Sequence, residues 1–486
     1  MKRFDCLILV FFCHCVPAHA DREWYEVKTG DVRIVSAVSR AQTQKIAADV
    51  EFYFEAAQRI IERPHVRPLV PLNMLALDAR LWRKYVDRDS RSVGRFQSFP
   101  GSAEIIIDAT AWGGSSSIVF HELTHFVLRQ NEPPRALPPW YNEGHAELLS
   151  TIQIRDGNLT FGIYPKNRWQ SLQWLPRLPI EKVLTVGLAG EEEIHHRDDI
   201  AAFYAQAWLI VHHSLFASPA RNEQLRRYRQ LLLAERAPRV ALESAFGSEL
   251  DKYEKELSRY AQRGKLAYIS LPIDSLNTQT PEVQPLSEAD GLNALGRWFV
   301  YATAVDDTQL KFLDEQAKHA LPDSVAKLQF ANALIKRGNP TTAQPLVAAG
   351  CGAPTAMHLA LLCGDAYRRQ FESSRDPSLA ANARKFYEAA LRLQPDNLEV
   401  LLSAAATFEA APADSASVRA GLESALQRNP NNSWISASLA ALYRPLDLQK
   451  AREYLERAML TAPSAERERI YAQELNRMGS EVATHL

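Results

Sequence analysis

The sequence has few cysteines and no excess of either charge. Of its 486 residues only five are cysteine, and three of them, Cys6, Cys13 and Cys15, lie close to the N-terminus. The remaining pair, Cys351 and Cys363, is too small a set for a disulfide-dense scaffold. With 56 Lys and Arg against 57 Asp and Glu, the formal charge is −1, which gives no basic field for nucleic acid or an anionic membrane surface. We therefore expect no nucleic-acid partner.

The chain also lacks a long apolar run. Its start carries Lys2 and Arg3, then a short apolar stretch and an A-x-A sequence ending at Ala20, which is the pattern of a cleavable export signal. That stretch is shorter than the roughly 20 residues that a membrane-spanning helix needs. We expect residues 1–20 to be a signal peptide and the mature protein to be periplasmic or extracellular, without a transmembrane segment. An N-terminal membrane anchor is the alternative.

The two remaining cysteines are expected to be unpaired. The pattern of residues 355–369 predicts a helix, in which Cys363 lies more than two turns from the start. Cys351 would lie near the start of that helix, too far away to form a disulfide. We therefore expect two small core residues.

The first half of the chain has the mixed periodicity of an α+β domain, and the length predicts two or three domains. Alternating and β-branched residues predict strands, whereas apolar residues at helical spacing predict a long helix. The predicted strands are 24–36 (two strands with a turn at Thr29-Gly30), 72–77 and 104–108, and the predicted helix is 41–61. We assign residues 21–270 to this domain.

The second half has a different composition. Residues 271–287 are polar and contain three prolines, which predicts a linker. Residues 288–470 are rich in Ala and Leu and helical in pattern, and Pro395, Pro430 and Pro463 recur near a period of 34. This period resembles the tetratricopeptide repeat, which implies stacked helix pairs whose groove takes a protein or peptide partner. A bundle of unrelated hairpins is the alternative, and 471–486 would form a C-terminal tail.

One motif carries recognisable chemistry. Residues 121–125 read His-Glu-Leu-Thr-His, so that His121 and His125 lie one turn apart on the same face of a helix. Two imidazoles in this arrangement can bind one Zn²⁺. Glu122 adjoins the first of them, where its carboxylate can act as a general base toward water.

A third ligand is expected from the next helix. Pro138-Pro139 predicts a helix start, and that helix carries Glu143, 18 residues after His125. Glu147 lies one turn further on the same face, where it can accept the free N–H of a ligating histidine. The alternative, a surface helix with two unrelated histidines, conflicts with the apolar residues that flank the motif on both sides.

HELTH followed by W-x-N-E-G-x-A-E resembles the gluzincin zinc peptidases, and most of all the bacterial peptidase MA-like group, which is often fused to tetratricopeptide repeats. The resemblance implies a zincin-like fold, one zinc held by His121, His125 and Glu143, and Glu122 as the base. It also implies that Tyr204 stands over the developing oxyanion. The strand 104–108 resembles the edge strand along which these enzymes bind a peptide. The G-x-M-E-N motif that grips a free amine in related aminopeptidases is missing, so we expect an endopeptidase.

Two other functions compete with an exported zinc endopeptidase. A non-hydrolytic envelope scaffold would keep the fold and act through its repeats, but it would have no need of Glu122. A purely structural zinc site would normally have four protein ligands rather than three and a neighbouring glutamate. His145, His195-His196 and His212-His213 lack metal-ligand spacing, and we expect them to be structural or exposed.

Overall fold

The protein is described here from a computed structural model. It describes residues 22–61, 65–88, 92–111, 114, 116–132, 137–188, 193–234, 236–263, 265–273, 281–301, 304–321, 324–352, 354–408, 415–462 and 465–484. The predicted signal peptide lies outside these residues. Within them, no helix is both long enough and apolar enough to cross a membrane.

The N-terminal half contains two β-sheets. The larger sheet has the order β4-β5-β3-β2-β1-β9, and the smaller one has the order β6-β7-β8. In the larger sheet β2, β3 and β5 are parallel, whereas β4, β1 and β9 pair antiparallel with their neighbours. The strands are β1 (Trp24–Thr29), β2 (Val32–Ser36), β3 (Leu72–Leu77), β4 (Gly94–Ser98), β5 (Ala103–Asp108), β6 (Gln153–Arg155), β7 (Asn158–Phe161), β8 (Ile269–Pro272) and β9 (Gln284–Leu286).

In the described part of this half, ten α-helices accompany the sheets. One face of the large sheet packs against α1 and α3 through an apolar core that includes Ile34, Val50 and Phe126. Helices α4 and α6 to α10 form a second core around Trp208 and Tyr228. The helices are α1 (Arg40–Ile60), α2 (Ala79–Tyr85), α3 (Ser116–Asn131), α4 (Pro139–Leu149), α5 (Lys166–Trp174), α6 (Ile180–Thr185), α7 (Arg197–Phe216), α8 (Pro219–Leu233), α9 (Pro238–Phe246) and α10 (Leu250–Ala261).

The strongly patterned segments were predicted correctly. The strands expected at 72–77 and 104–108 and the helix expected at 41–61 are confirmed to within one residue. The exception is the position of strand 104–108 in the sheet. It lies between β3 and β4, so the match to a substrate-binding edge strand was wrong, and β4 is the edge strand next to it. A continuous run of β-branched residues is typical of a strand that is buried on both faces. Every residue of β5 is buried.

The C-terminal half consists of stacked helices, as the repeat pattern predicted. Consecutive helices contact one another as hairpins, and the first helices of successive pairs begin at Val325, Met357, Leu398 and Ser433. The alanines and larger residues that recur in the repeat, such as Ala383, Tyr387 and Leu422, are all buried. The helices are α11 (Glu288–Tyr301), α12 (Asp307–His319), α13 (Val325–Lys336), α14 (Pro340–Gly350), α15 (Met357–Ser374), α16 (Pro377–Leu393), α17 (Leu398–Ala405), α18 (Ala416–Arg428), α19 (Ser433–Tyr443), α20 (Leu448–Leu460) and α21 (Ala465–Thr484).

The two halves are more closely joined than the predicted linker 271–287 suggests. Both of its ends belong to sheets, because β8 pairs with β7 and β9 pairs with β1, while 274–280 lie outside the described residues. Helix α11 then packs on the second face of the large sheet, where Phe299 shares a core with Trp24 and Ile106. Likewise, most of the predicted tail 471–486 continues helix α21, with Tyr471 and Met478 in the last core.

The prediction for the two cysteines was wrong. Cys351 and Cys363 form a disulfide, with their Cα atoms 5.7 Å apart. Cys351 does not begin the helix that contains Cys363; it directly follows the preceding helix, α14. Because α14 and α15 fold back on each other, the end of one helix lies beside the second turn of the other.

Removal of this disulfide should destabilise the repeat region. The bond joins cysteines that are 12 residues apart, and closing a loop of about that size stabilises a fold by about 3 kcal/mol. We expect the double variant Cys351→Ser/Cys363→Ser to lose that amount in chemical denaturation followed by circular dichroism. Reduced wild type is the control and should unfold like the variant. Equal stability of oxidised wild type and variant would contradict the pairing.

Candidate metal centre

Helices α3 and α4 bring three ligand-type side chains to one point. His121 and His125 lie one turn apart on α3, and Glu143 faces them from α4. Their ligand atoms lie within 4.8 Å of one another, and this is the only such group of three or more among the described residues. Glycine 144 sets the position of α4, because a Cβ there would lie 2.5 Å from the carbonyl oxygen of Ala207 on α7. This close contact fixes α4, and Glu143 with it, against α7.

The outer nitrogens of both histidines face acceptors. His125 Nδ1 lies 3.0 Å from Asn142 Oδ1, and His121 Nδ1 lies 3.4 Å from Glu147 Oε1. Since an amide oxygen and a carboxylate can only accept, each Nδ1 carries the hydrogen. Each Nε2 then presents a lone pair to the interior of the cluster. Histidines that bind a metal are commonly held in this way, with the other ring nitrogen donating to a carboxylate or amide oxygen.

When both imidazoles are neutral, the interior of the cluster contains acceptors only. The two Nε2 atoms lie 3.1 Å apart, and Glu143 Oε2 lies 3.3 Å from that of His121 and 3.5 Å from that of His125. Glu143 Oε2 is buried and lacks a hydrogen-bond partner among the described residues. Three lone pairs at this distance repel one another unless a proton or a metal ion lies between them. The cluster therefore has the geometry and chemistry of a candidate cation site.

The electrostatics of the cluster agree with this conclusion. Burial lowers the pKa of His125, but the Glu143 carboxylate outweighs it and raises that pKa to about 9. Burial also raises the pKa of Glu143, and the two histidines reverse this and hold it well below its usual range. Both shifts have the same cause, because the Glu143 carboxylate favours a positive charge on the groups that face it, and without a metal ion that charge is a proton on His125.

Glu122 lies beside the cluster, under the edge strand. It is buried, and burial raises the pKa of its carboxyl group. Gly94 of β4 lies against it so closely that a Cβ at that position would be 2.3 Å from Glu122 Oε1. A side chain there would displace the carboxylate, so the glycine is required by this close approach. The carboxylate is thereby held between β4 and α3.

Tyr204 and Arg168 complete the surroundings. The Tyr204 ring lies 6.4 Å from the His121 ring. The guanidinium of Arg168 lies over the Tyr204 ring, 4.8 Å from its centroid. Arg168 Nη2 donates to Glu147 Oε1 at 2.6 Å, the same oxygen that faces His121. The Glu143 carboxylate, together with burial, raises the pKa of Tyr204 well above its usual value. Its hydroxyl therefore keeps its proton at neutral pH.

The structure thus brings together all six residues that the sequence singled out: His121, Glu122, His125, Glu143, Glu147 and Tyr204. Three contributors were missed. Asn142 adjoins Glu143 in the motif and could have been found there, whereas Gly94 and Arg168 lie in segments without any motif. The other histidines considered in the sequence analysis lie outside the cluster. The His145 ring is tilted against that of Tyr141, with ring centroids 4.0 Å apart, and His212 bonds to the carbonyl of Gly162. His213 is buried, whereas His195 and His196 are exposed.

Comparisons with known proteins do not identify the chain. No protein-family model and no curated protein matches it. Among solved structures it is similar to a thermophilic tetratricopeptide-repeat protein of Thermus thermophilus, with 21% sequence identity and a TM-score of 0.31. The similarity covers 38% of this chain and 98% of that one. A likeness of this strength carries no argument, and the helix pairs described above rest on their own contacts.

Proposed function

We propose that this protein is an exported zinc endopeptidase of the gluzincin type. The observation that carries the proposal is the convergence of three lone pairs from His121, His125 and Glu143 at one point. Ligand atoms at about 2.0–2.1 Å around a tetrahedral zinc stand about 3.3 Å apart. The three observed separations, 3.1, 3.3 and 3.5 Å, agree with that spacing. Three protein ligands leave the fourth position for a substrate or water.

When bound, zinc would polarise the scissile carbonyl and lower the pKa of a water molecule toward about 7. The chain's own residues would do the rest. Glu122 would accept the proton of the attacking water and return it to the leaving amine. Its burial against Gly94 supports this role, because a raised pKa brings a carboxylate closer to the pH at which it must exchange protons.

Tyr204 would donate a hydrogen bond to the oxyanion that forms on the substrate carbonyl. Its retained proton and its position beside His121 support this role. Arg168 would not contact the substrate and would act only through neighbouring residues. It holds Glu147, which orients His121, and it covers the Tyr204 ring. We therefore infer that Arg168 is a positioning residue.

Three features support the class of substrate and the location. The free side of β4 presents unpaired backbone groups beside Glu122, and an extended peptide can add to such an edge as a further strand. The missing amine-gripping motif favours cleavage within a chain. The disulfide between Cys351 and Cys363 is typical of an oxidising compartment, which agrees with export to the periplasm or beyond.

Metal analysis tests the proposal directly. We expect about one zinc per wild-type chain and almost none in His125→Ala, because two ligands bind zinc far more weakly than three. His195→Ala, which changes an exposed histidine, is the matched control and should retain its zinc. Equal zinc in wild type and His125→Ala would contradict the ligand set.

The non-hydrolytic scaffold remains a second candidate, because stacked helix pairs are typical of protein-binding modules. Part of the repeat surface contacts the N-terminal half and is not open to a partner. Helix α11 covers the large sheet, and Arg297 of α11 links β5 to α17. If the wild type binds zinc but cleaves no member of a broad peptide library, the scaffold becomes the better explanation.

A further inference from the structure

The groove beside the metal centre has two walls, strand β4 and helix α3, which run side by side. Gly94 of β4 lies against Glu122 of α3, and one step further the Phe96 ring lies 6.2 Å from the Phe126 ring. The strand and the helix therefore advance in the same direction from the metal centre. An extended peptide that pairs with β4 would pass over both Glu122 and the later turns of α3.

The repeat region closes one end of this groove. Asn432 Nδ2 donates to the carbonyl oxygen of Pro100, just beyond β4, at 3.2 Å. Its neighbour Asn431 donates to the carbonyl oxygen of Asn131, at the end of α3, at 3.4 Å. The turn between α18 and α19 thus bonds to the ends of both walls. A substrate can extend only a few residues past the metal centre in this direction.

Arg129 lies between the metal centre and this closed end. It follows His125 by four residues and Glu122 by seven, so it shares their face of α3 and lies about 6 Å and about 10 Å further along the helix. It is half-buried, and within the described part of the chain no ion pair or hydrogen bond satisfies its guanidinium. Burial lowers the pKa of Arg129 to about 10, and no neighbouring carboxylate offsets that effect.

Two other arginines described near the site each have an acidic partner. Arg168 pairs with Glu147, and Arg229 pairs with Glu132 at the end of α3. A desolvated guanidinium without a counterion is costly in a folded protein, unless a ligand supplies the negative charge. An extended peptide advances about 3.3 Å per residue, so Arg129 is reached two or three residues from the scissile bond.

We propose that Arg129 and the closed end of the groove form a substrate subsite for a carboxylate, located two or three residues from the bond that is cut. This inference rests on the proposed peptidase function and adds its specificity. The carboxylate can belong to an Asp or Glu side chain or to the end of the peptide chain. A planar guanidinium binds either in the same bidentate manner.

Peptide binding tests the subsite without turnover. The probes are fluorescent hexapeptides bound to the zinc-loaded Glu122→Gln protein and measured by anisotropy. One series moves a single Glu along a neutral peptide with an amidated end, and a second compares the free and amidated ends of the neutral peptide. We expect a carboxylate at one or two positions to tighten binding about tenfold or more, because hydrogen bonds to charged groups are strong. The series that responds identifies the source.

Arginine variants decide whether Arg129 is responsible. Arg129→Gln in the same background should remove the preference, Arg129→Lys should keep part of it, and Arg227→Gln, which changes an exposed arginine of α8, should leave it intact. Thermal unfolding checks that each variant is folded. Equal affinity for all peptides, or a preference that survives Arg129→Gln, would overturn the subsite. Failure of the peptidase proposal is detected by different measurements, because the wild type would then bind no zinc or cleave no peptide.

Discussion

Replacement of Glu122 by Gln should abolish peptide hydrolysis and leave the zinc content unchanged. The amide has nearly the same shape as the carboxylate and fits the same space beneath Gly94. It cannot accept the proton of the attacking water, and general-base catalysis contributes about 10²–10⁴-fold to a rate. We therefore expect kcat to fall by at least about a hundredfold with little change in KM, measured with a peptide from a cleavage library.

Two controls make this result interpretable. Glu243→Gln changes an exposed glutamate of α9 and should keep full activity. Metal analysis and circular dichroism on Glu122→Gln show whether the variant still binds zinc and is still folded, so that loss of the general base can be told apart from loss of the metal site. If the variant cleaves as fast as the wild type, Glu122 is not the base. If it loses zinc, its carboxylate is needed to assemble the cluster rather than to move a proton.

The part of the site that the sequence predicts is the part built from helical spacing. His121 and His125 are four residues apart on one helix, so any helix that contains them places both imidazoles on one face. Glu143 and Glu147 are likewise one turn apart, after a proline pair that fixes where their helix begins. Only the meeting of the two helices had to be assumed, from the resemblance to gluzincins.

The part that could not be predicted depends on contacts between distant segments. The strand that contains Gly94 is short and polar, and only its pairing with β5 makes it a strand. Arg168 reaches Glu147 from another helix, and Asn431 reaches α3 from the repeats. The disulfide also depends on a contact between segments, because it forms only when the end of α14 lies beside α15. Local periodicity carries no information about any of these contacts.

One buried charge cluster links the two halves, in addition to the pairing of β9 with β1 and the apolar core under α11. Glu104 of β5 is almost completely buried, and Arg297 of α11 donates to it through Nε at 3.2 Å and Nη2 at 3.1 Å. The same Nη2 lies 3.2 Å from Glu399 at the start of α17. Burial raises the pKa of Glu104, and Arg297 opposes that shift. A single guanidinium therefore joins the sheet, the first repeat helix and a later repeat.

Removal of this arginine should destabilise the whole molecule. Breaking a buried ion pair costs roughly 3–5 kcal/mol because it leaves a charge buried without a partner. Since 24% of the Arg297 side chain is exposed, we expect the lower end, about 3 kcal/mol, for Arg297→Met in chemical denaturation. Arg337→Met, which breaks a surface pair with Asp307, is the matched control and should cost at most about 1 kcal/mol.

The double variant Glu104→Gln/Arg297→Met separates the cost of the orphaned Glu104 charge from the other effects of losing Arg297. It removes one of the two carboxylates that Arg297 pairs with, while Glu399 still loses its partner, so the double variant should be more stable than Arg297→Met alone and less stable than the wild type. A loss of stability in Arg297→Met no greater than that of Arg337→Met would mean that the cluster does not stabilise the contact between the halves. A double variant as unstable as the single one would mean that the loss comes from Glu399 or from the packing of the Arg297 side chain over Tyr301, and not from Glu104.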